Sequence, residues 1–229
     1  MKKLCIFFFV GLLSYSCGID NYLYLYPVSQ ISIGSDNQVS FELPNNQLEG
    51  YFKNYTIFYR IYKSAENRTG SIHDYQTINP RLNEQINRIA PYTKDGENPL
   101  VVQSLFETLN FRTLALENVQ INNVLSSAAR GKKISIDFNT QATGFNYPIL
   151  TIDSNKYKIV RSIINPIPSS SFIYSSTMMA NTNADVENGG EGYAYVCLYI
   201  LAAGIDDNAS IVLSTPAFLG VYKLPNILN

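Results

Sequence analysis

The stretch YTIFYRIY, residues 55–62, decides the fold class of this chain. Side chains that alternate along a β-strand lie on opposite faces of a sheet. The odd-numbered positions here are tyrosine and isoleucine in turn, and the even-numbered positions include Phe58, Arg60 and Tyr62. Both faces are therefore largely apolar or aromatic, which predicts a central strand that is covered on both sides.

Similar alternation continues on both sides of this stretch. It is found in NYLYLYPV (21–28), QVSFEL (38–43), KISIDF (133–138), GYAYVCLYILAA (192–203) and FLGVYKL (218–224). The turn composition of Asp153-Ser154-Asn155 predicts a hairpin between residues 149–152 and 156–163.

Residues 63–130 have a different pattern, which predicts helices. Asn79-Pro80 and Asn98-Pro99 are good helix starts, because asparagine caps the first turn and proline is favoured at its first position. Residues 115–129 suit a strand or a helix equally well. Since strands come first, helices interrupt them and strands return, the fold class predicted is mainly β, an antiparallel β-sandwich with a helical insertion at about 63–130.

The first seventeen residues, MKKLCIFFFVGLLSYSC, have the pattern of an export signal. The apolar run Ile6 to Leu13 is too short for a membrane-spanning helix, which needs roughly 20 residues, and suits a signal peptide. The ending Ser-Tyr-Ser-Cys17 resembles the lipobox of bacterial lipoproteins, in its looser spirochaete form. The resemblance implies cleavage before Cys17 and acylation of its thiol, with a signal peptide at 1–16 and one mature domain at 17–229. The alternative is ordinary secretion with a free thiol.

Two further resemblances concern the domain itself. NYTIFYRIY (54–62) resembles the third strand of fibronectin type III-like domains, and GYAYVCLYILAAGID (192–206) followed by SIVLSTP (210–216) resembles their last two strands. That family implies an immunoglobulin-like sandwich and a corner hydrogen bond from Tyr193 or Tyr195. In overall layout the chain resembles uncharacterised spirochaete lipoproteins, a family that implies no shared activity.

Composition and charge exclude several function classes. The net charge is −1 with a pI near 5.8, and the chain has no basic block after the leader, so nucleic-acid binding is not expected. His73 is the only histidine, which weakens Ser-His-Asp and Cys-His catalysis and zinc sites with several histidines. Because Cys5 leaves with the signal and Cys17 carries lipid, Cys197 is interpreted as a lone core thiol. We predict no catalytic, cofactor-binding or metal residues and no cofactor.

Acidic loops are the nearest approach to a metal site. Asn183, Asp185 and Glu187 alternate as calcium ligands do, but Gly189 comes one place late. Asp206-Asp207 forms a second acidic loop at the other end of the strand that begins near residue 193. Solvated loops are the favoured interpretation of both. The many strand tyrosines are expected mainly in the core.

The function predicted is non-catalytic binding or a structural role in the bacterial envelope, with the lipid on Cys17 holding the domain at the outer membrane or a periplasmic face. A protein or glycan partner would contact the loop 177–192 or the insertion 63–130. One alternative is a hydrolase acting on envelope polymers, which needs two carboxylates converging in a cleft. Another is an accessory component of an envelope assembly, docking through an exposed apolar stripe on the helix at 99–110.

Overall fold

A computed structural model describes most of the chain after the leader. The described residues are 24–34, 36–68, 72, 74–93, 99–139, 147–162, 172, 184–187 and 192–225. The predicted signal peptide at 1–16 and the predicted lipidation site Cys17 lie outside them, and so does His73.

Eleven strands are found within the described residues. They are β1 (Ser29–Ile33), β2 (Gln38–Glu42), β3 (Phe52–Ser64), β4 (Arg112–Leu116), β5 (Lys133–Asp137), β6 (Ile149–Ile152), β7 (Asn155–Arg161), β8 (Val186–Glu187), β9 (Tyr193–Ile205), β10 (Ile211–Leu213) and β11 (Ala217–Lys223). The hairpin predicted around residue 153 is present as β6 and β7, with Asp153 at a positive φ in the turn.

The strands form one continuous sheet that is nearly closed into a barrel-like shape. Its order is β1-β2-β5-β6-β7-β4-β3-β9-β10, with β11 also paired to β9 and β8 paired to β3. All pairs are antiparallel except β3 with β8. The Asn37 side chain, in the turn between β1 and β2, brings the two ends together: its Nδ2 donates to Lys223 O (2.6 Å) and its Oδ1 accepts from Lys223 N (2.9 Å).

The mainly β, antiparallel class is confirmed, whereas the two-sheet sandwich is not. A sandwich needs two sheets that face each other without a hydrogen-bonded path between them. Here β4 lies between β3 and β7, and it thereby joins the strands of residues 52–64 and 193–223 to those of residues 29–42 and 133–161. Residues 112–116, at the edge of the stretch that could not be assigned from sequence, are therefore part of the sheet.

Both faces of β3 and β9 are buried, as predicted for β3. The inner faces fill the interior of the sheet with Tyr55, Ile57, Tyr59, Ile61, Ala194, Val196, Leu198, Ile200 and Ala202. The outer faces pack against helices through Tyr62, Tyr195, Cys197, Tyr199 and Leu201. Two cores therefore share the same pair of 13-residue strands.

Four helices follow β3 in the described part of the chain; the first three pack in the outer core, whereas the fourth packs in the inner core through Ile121. They are α1 (Tyr75–Ile78), α2 (Pro80–Ile89), α3 (Pro99–Thr108) and α4 (Ile121–Val124), with short 3-10 turns at Ala90–Thr93 and Ser127–Ala129. The predicted start at Asn79-Pro80 is confirmed, because Asn79 Oδ1 accepts from Arg81 N at 2.8 Å. On α3, Val102 and Phe106 face the outer core, whereas Val101 is exposed.

The strand predicted over 21–28 is wrong in its described part, because Tyr24 to Val28 form no strand and β1 begins at Ser29. The side chains of Tyr24, Leu25 and Tyr26 nevertheless alternate between exposed and buried. Gln47 Oε1 accepts from Tyr26 N (3.0 Å) and its Nε2 donates to Tyr26 O (2.6 Å), so one buried amide side chain replaces a neighbouring strand.

Candidate functional site

The segment 184–187 is attached to the sheet by buried charged side chains. Asp185 Oδ2 accepts from Tyr59 Oη (2.8 Å) and from Arg161 Nε (2.7 Å), and Arg161 Nη2 donates to the other carboxylate oxygen. The Arg161 side chain is 0% exposed and that of Asp185 is 5% exposed. This is a bidentate charge-assisted pair in the interior.

A second pair holds the same segment from the outer face of β3. Arg60 Nη2 donates to a carboxylate oxygen of Glu187, and Arg60 Nη1 donates to Leu109 O (2.7 Å), just beyond the end of α3. Arg60 Nε is buried without a hydrogen-bond partner among the described residues. We name Tyr59, Arg60, Arg161, Asp185 and Glu187 the loop clamp.

The loop clamp explains how β8 is held. This strand has two residues and pairs in parallel with Ile61 and Tyr62. Ile61 N also donates to Asp185 O at 2.9 Å. Because a two-residue ladder supplies few hydrogen bonds, the side chains of Asp185 and Glu187 fix the position of β8.

The interpretation of this segment as a solvated acidic loop is wrong, because Asp185 is buried and both carboxylates bind arginines. The two carboxylates also diverge: Asp185 bonds to a tyrosine of the inner face and Glu187 to an arginine of the outer face. Asn183 and Gly189 lie outside the described residues. The sequence did contain a signal for this arrangement, since arginines in buried strands need acidic partners.

The strand tyrosines are mainly in the core, as predicted. Burial raises the pKa of Tyr59, Tyr62 and Tyr199 well above the usual value of a phenol. Tyr195, one of the two candidates for a corner hydrogen bond, donates its hydroxyl proton to Glu66 O (2.6 Å) and accepts from the backbone N of residue 68 (2.8 Å). Tyr24 and Tyr26 differ, because each is 39% exposed.

Cys197 is a core thiol, as predicted. It is fully buried in the outer core, and burial raises the pKa of its thiol. A thiol in such surroundings is a poor nucleophile, since only the thiolate reacts.

Two shallow depressions lie near the end of the sheet where β3 begins. One, of about 290 Å³, includes Leu48, Phe52 and Arg130; the other, of about 250 Å³, includes Lys132 and Tyr157. Each contains one acidic residue among its described lining, Glu49 in the first and Asp153 in the second. Both are smaller than a typical small-molecule site of roughly 300–1,000 Å³.

Within the described ranges, no three histidine, cysteine or acidic side chains come close enough together to bind a metal ion. None of the helices in those ranges is long and apolar enough to cross a membrane. In the comparisons with known proteins, the chain matches no family model, no curated protein and no solved structure. The loop clamp is therefore the candidate functional element that the geometry itself supplies.

Proposed function

We propose that this chain is a lipid-anchored protein of a bacterial envelope, held at the outer membrane or a periplasmic face through acylated Cys17. In this proposal it binds an envelope protein or glycan and performs no catalysis. The loop 177–192 makes the contact. The observation that supports the binding role is the loop clamp. It fixes residues 184–187, in the middle of that loop, on a sheet whose central strands are packed on both faces. The proposal does not require the two-sheet sandwich of fibronectin type III-like domains.

Energetics favour a positional role for the clamp. A buried ion pair contributes little net stability compared with apolar residues of the same size, because both charges lose their hydration. Two such pairs therefore add little to the stability of the fold, but they do hold residues 184–187 in one place. A loop that is already ordered loses less conformational entropy when a partner binds.

The anchor is tested by labelling cells with palmitate. Cys17→Ala should lose the label completely, whereas the matched variant Cys197→Ala should keep it, because the Cys197 thiol is buried in the outer core. Equal labelling of wild type and Cys17→Ala would refute the anchor.

The binding role is tested by crosslinking in intact cells followed by mass spectrometry. The test variant replaces residues 177–183 with glycine and serine and keeps Asp185 and Glu187, so that the clamp is intact. The matched control makes the same replacement in residues 206–210, which follow the other end of β9. Loss of crosslinks in the test variant alone supports the proposal, and their retention contradicts it. Crosslinks to several subunits of one complex would identify the chain as an accessory component of an assembly.

A further inference from the structure

One end of the sheet combines exposed apolar side chains with the entry point of the chain. Leu25 is buried in the inner core beside the end of β9, where a Cβ on Gly204 would lie 3.1 Å from its Cδ1. Ile205 N donates to Tyr51 O (3.0 Å), just before β3, and Phe52 N donates to Leu48 O (3.0 Å). Residues 24–26, the start of β3 and the end of β9 therefore lie together, and we name this the Tyr24 end.

Large hydrophobic side chains are exposed almost only at this end. Within the described residues, one such residue is Val101 on α3, a helix that packs against β10. The others are Tyr24 (39% exposed), Tyr26 (39%), Leu48 (39%), Ile205 (41%) and Ile211 (51%). Ile205 and Ile211 are cross-strand partners of β9 and β10, and the rings of Tyr24 and Tyr26 contact each other edge to face with centroids 5.3 Å apart. Apolar groups concentrated in this way mark an interaction surface rather than scattered surface residues.

The length of the chain before Tyr24 indicates what covers this surface. Cys17 precedes Tyr24 by seven residues, which span at most about 25 Å when fully extended. A lipid on Cys17 therefore keeps the Tyr24 end close to the bilayer. Tyrosine is enriched at the membrane interface, where its ring meets the acyl boundary and its hydroxyl meets water.

We propose that the Tyr24 end docks on the headgroup region of the membrane that holds Cys17, through Tyr24, Tyr26, Leu48, Ile205 and Ile211. This inference rests on the proposed anchoring at Cys17. It has a consequence for the loop clamp, because β8 pairs with Tyr62, ten residues along β3 from Phe52. At about 3.3 Å per residue the clamp lies up to about 33 Å farther from the bilayer, where a partner could reach it.

The test attaches the protein to vesicles without using the native lipid. A hexahistidine tag replaces residues 1–17 and binds a nickel-chelating lipid in phosphatidylcholine vesicles that contain brominated lipid. Because the chain has no tryptophan, Tyr26→Trp introduces a single reporter at the Tyr24 end. The matched control is Tyr193→Trp at the start of β9, the opposite end of that strand.

Bromine should quench the tryptophan of Tyr26→Trp roughly twofold or more, and that of Tyr193→Trp hardly at all, since quenching requires burial at the acyl boundary. Adding Ile205→Glu and Ile211→Glu to Tyr26→Trp should abolish the quenching. Adding Lys63→Glu, which changes the charge by the same amount near the opposite end of β3, should not. Equal quenching of both reporters, or none in vesicle-bound protein, overturns the inference.

The two proposals fail in different ways. Equal palmitate labelling of wild type and Cys17→Ala would refute the anchor and leave the quenching of tagged protein as a separate result. Self-association of the tagged protein in solution that Ile205→Glu abolishes, without quenching on vesicles, would assign the Tyr24 end to a second copy and overturn membrane docking.

Discussion

Replacing Asp185 by asparagine is the most direct test of the loop clamp. The substitution preserves the shape of the side chain and removes its charge. Arg161 would then keep its positive charge at 0% exposure with no carboxylate partner at this position. The Tyr59 hydroxyl and Arg161 Nε, which donate to Asp185 Oδ2 at 2.8 Å and 2.7 Å, would also compete for one neutral acceptor.

Removing one partner of a buried ion pair costs about 3–5 kcal/mol, chiefly because the remaining charge has lost its hydration. A domain has about 5–15 kcal/mol of total stability, so Asp185→Asn should remove about a fifth of it or more. The matched control is Asp153→Asn. Asp153 pairs with Lys132 at 2.8 Å, but both side chains are well exposed (53% and 40%), so its loss should cost no more than about 1 kcal/mol.

The assay is urea denaturation followed by circular dichroism, with the midpoint and slope compared among wild type, Asp185→Asn and Asp153→Asn. Limited proteolysis is a second measurement, because a released segment 184–187 should be cut faster in Asp185→Asn alone. The double variant Arg161→Met with Asp185→Leu should recover most of the lost stability, since the buried charges of this pair are then both removed. A free energy of unfolding for Asp185→Asn within about 1 kcal/mol of the Asp153→Asn value would refute the reasoning.

Three further predictions concern titration and backbone contacts. Four buried tyrosines have raised pKa values, namely Tyr59, Tyr62, Tyr199 and Tyr222. The unfolded chain releases these protons near pH 10, whereas the folded chain keeps them. The contribution of these tyrosines to the free energy of unfolding is therefore complete below pH 10. Above pH 10 it is lost, by about 1.4 kcal/mol per pH unit for each tyrosine. Urea midpoints that stay constant from pH 8 to 11 would contradict this. Gly204→Ala should destabilise by about 1–3 kcal/mol, because its Cβ would lie 2.6 Å from Tyr51 O; an unchanged melting temperature would count against the packing described. Asn37→Ala should cost about 1–3 kcal/mol, because it removes both hydrogen bonds to Lys223 at the closure of the sheet, and hydrogen exchange at the Lys223 amide should accelerate.

The strands could be predicted from sequence because their alternation is a local signal. In β3 and β9 both faces carry large apolar side chains, and burial on both faces is what the structure shows. The start of α2 was also readable, since the Asn79 cap acts only on the next few residues. These features depend on neighbours within one or two turns of the chain.

The closure of the sheet and the loop clamp could not be predicted, because they join distant parts of the chain. Asn37 bonds to a residue 186 positions away, and Asp185 bonds to Tyr59 across 126 positions. The strand wrongly predicted before Ser29 has a related cause. Alternation was present there, but the buried side chain of Gln47 took the place of the neighbouring strand.

The position of the two arginines connects the fold to the proposed function. Arg60 lies between Phe58 and Tyr62, which pack in the outer core, and Arg161 ends a strand whose Ile159 is in the inner core. Apolar residues at both places would continue these cores without any charge to hydrate. Because both arginines pair with carboxylates of the segment 184–187, this segment must contact side chains of both faces of β3. The two pairs add contacts on opposite faces of β3 to the short backbone ladder of β8. The chain thus carries two buried arginines in its core, and together they fix the position of the segment 184–187.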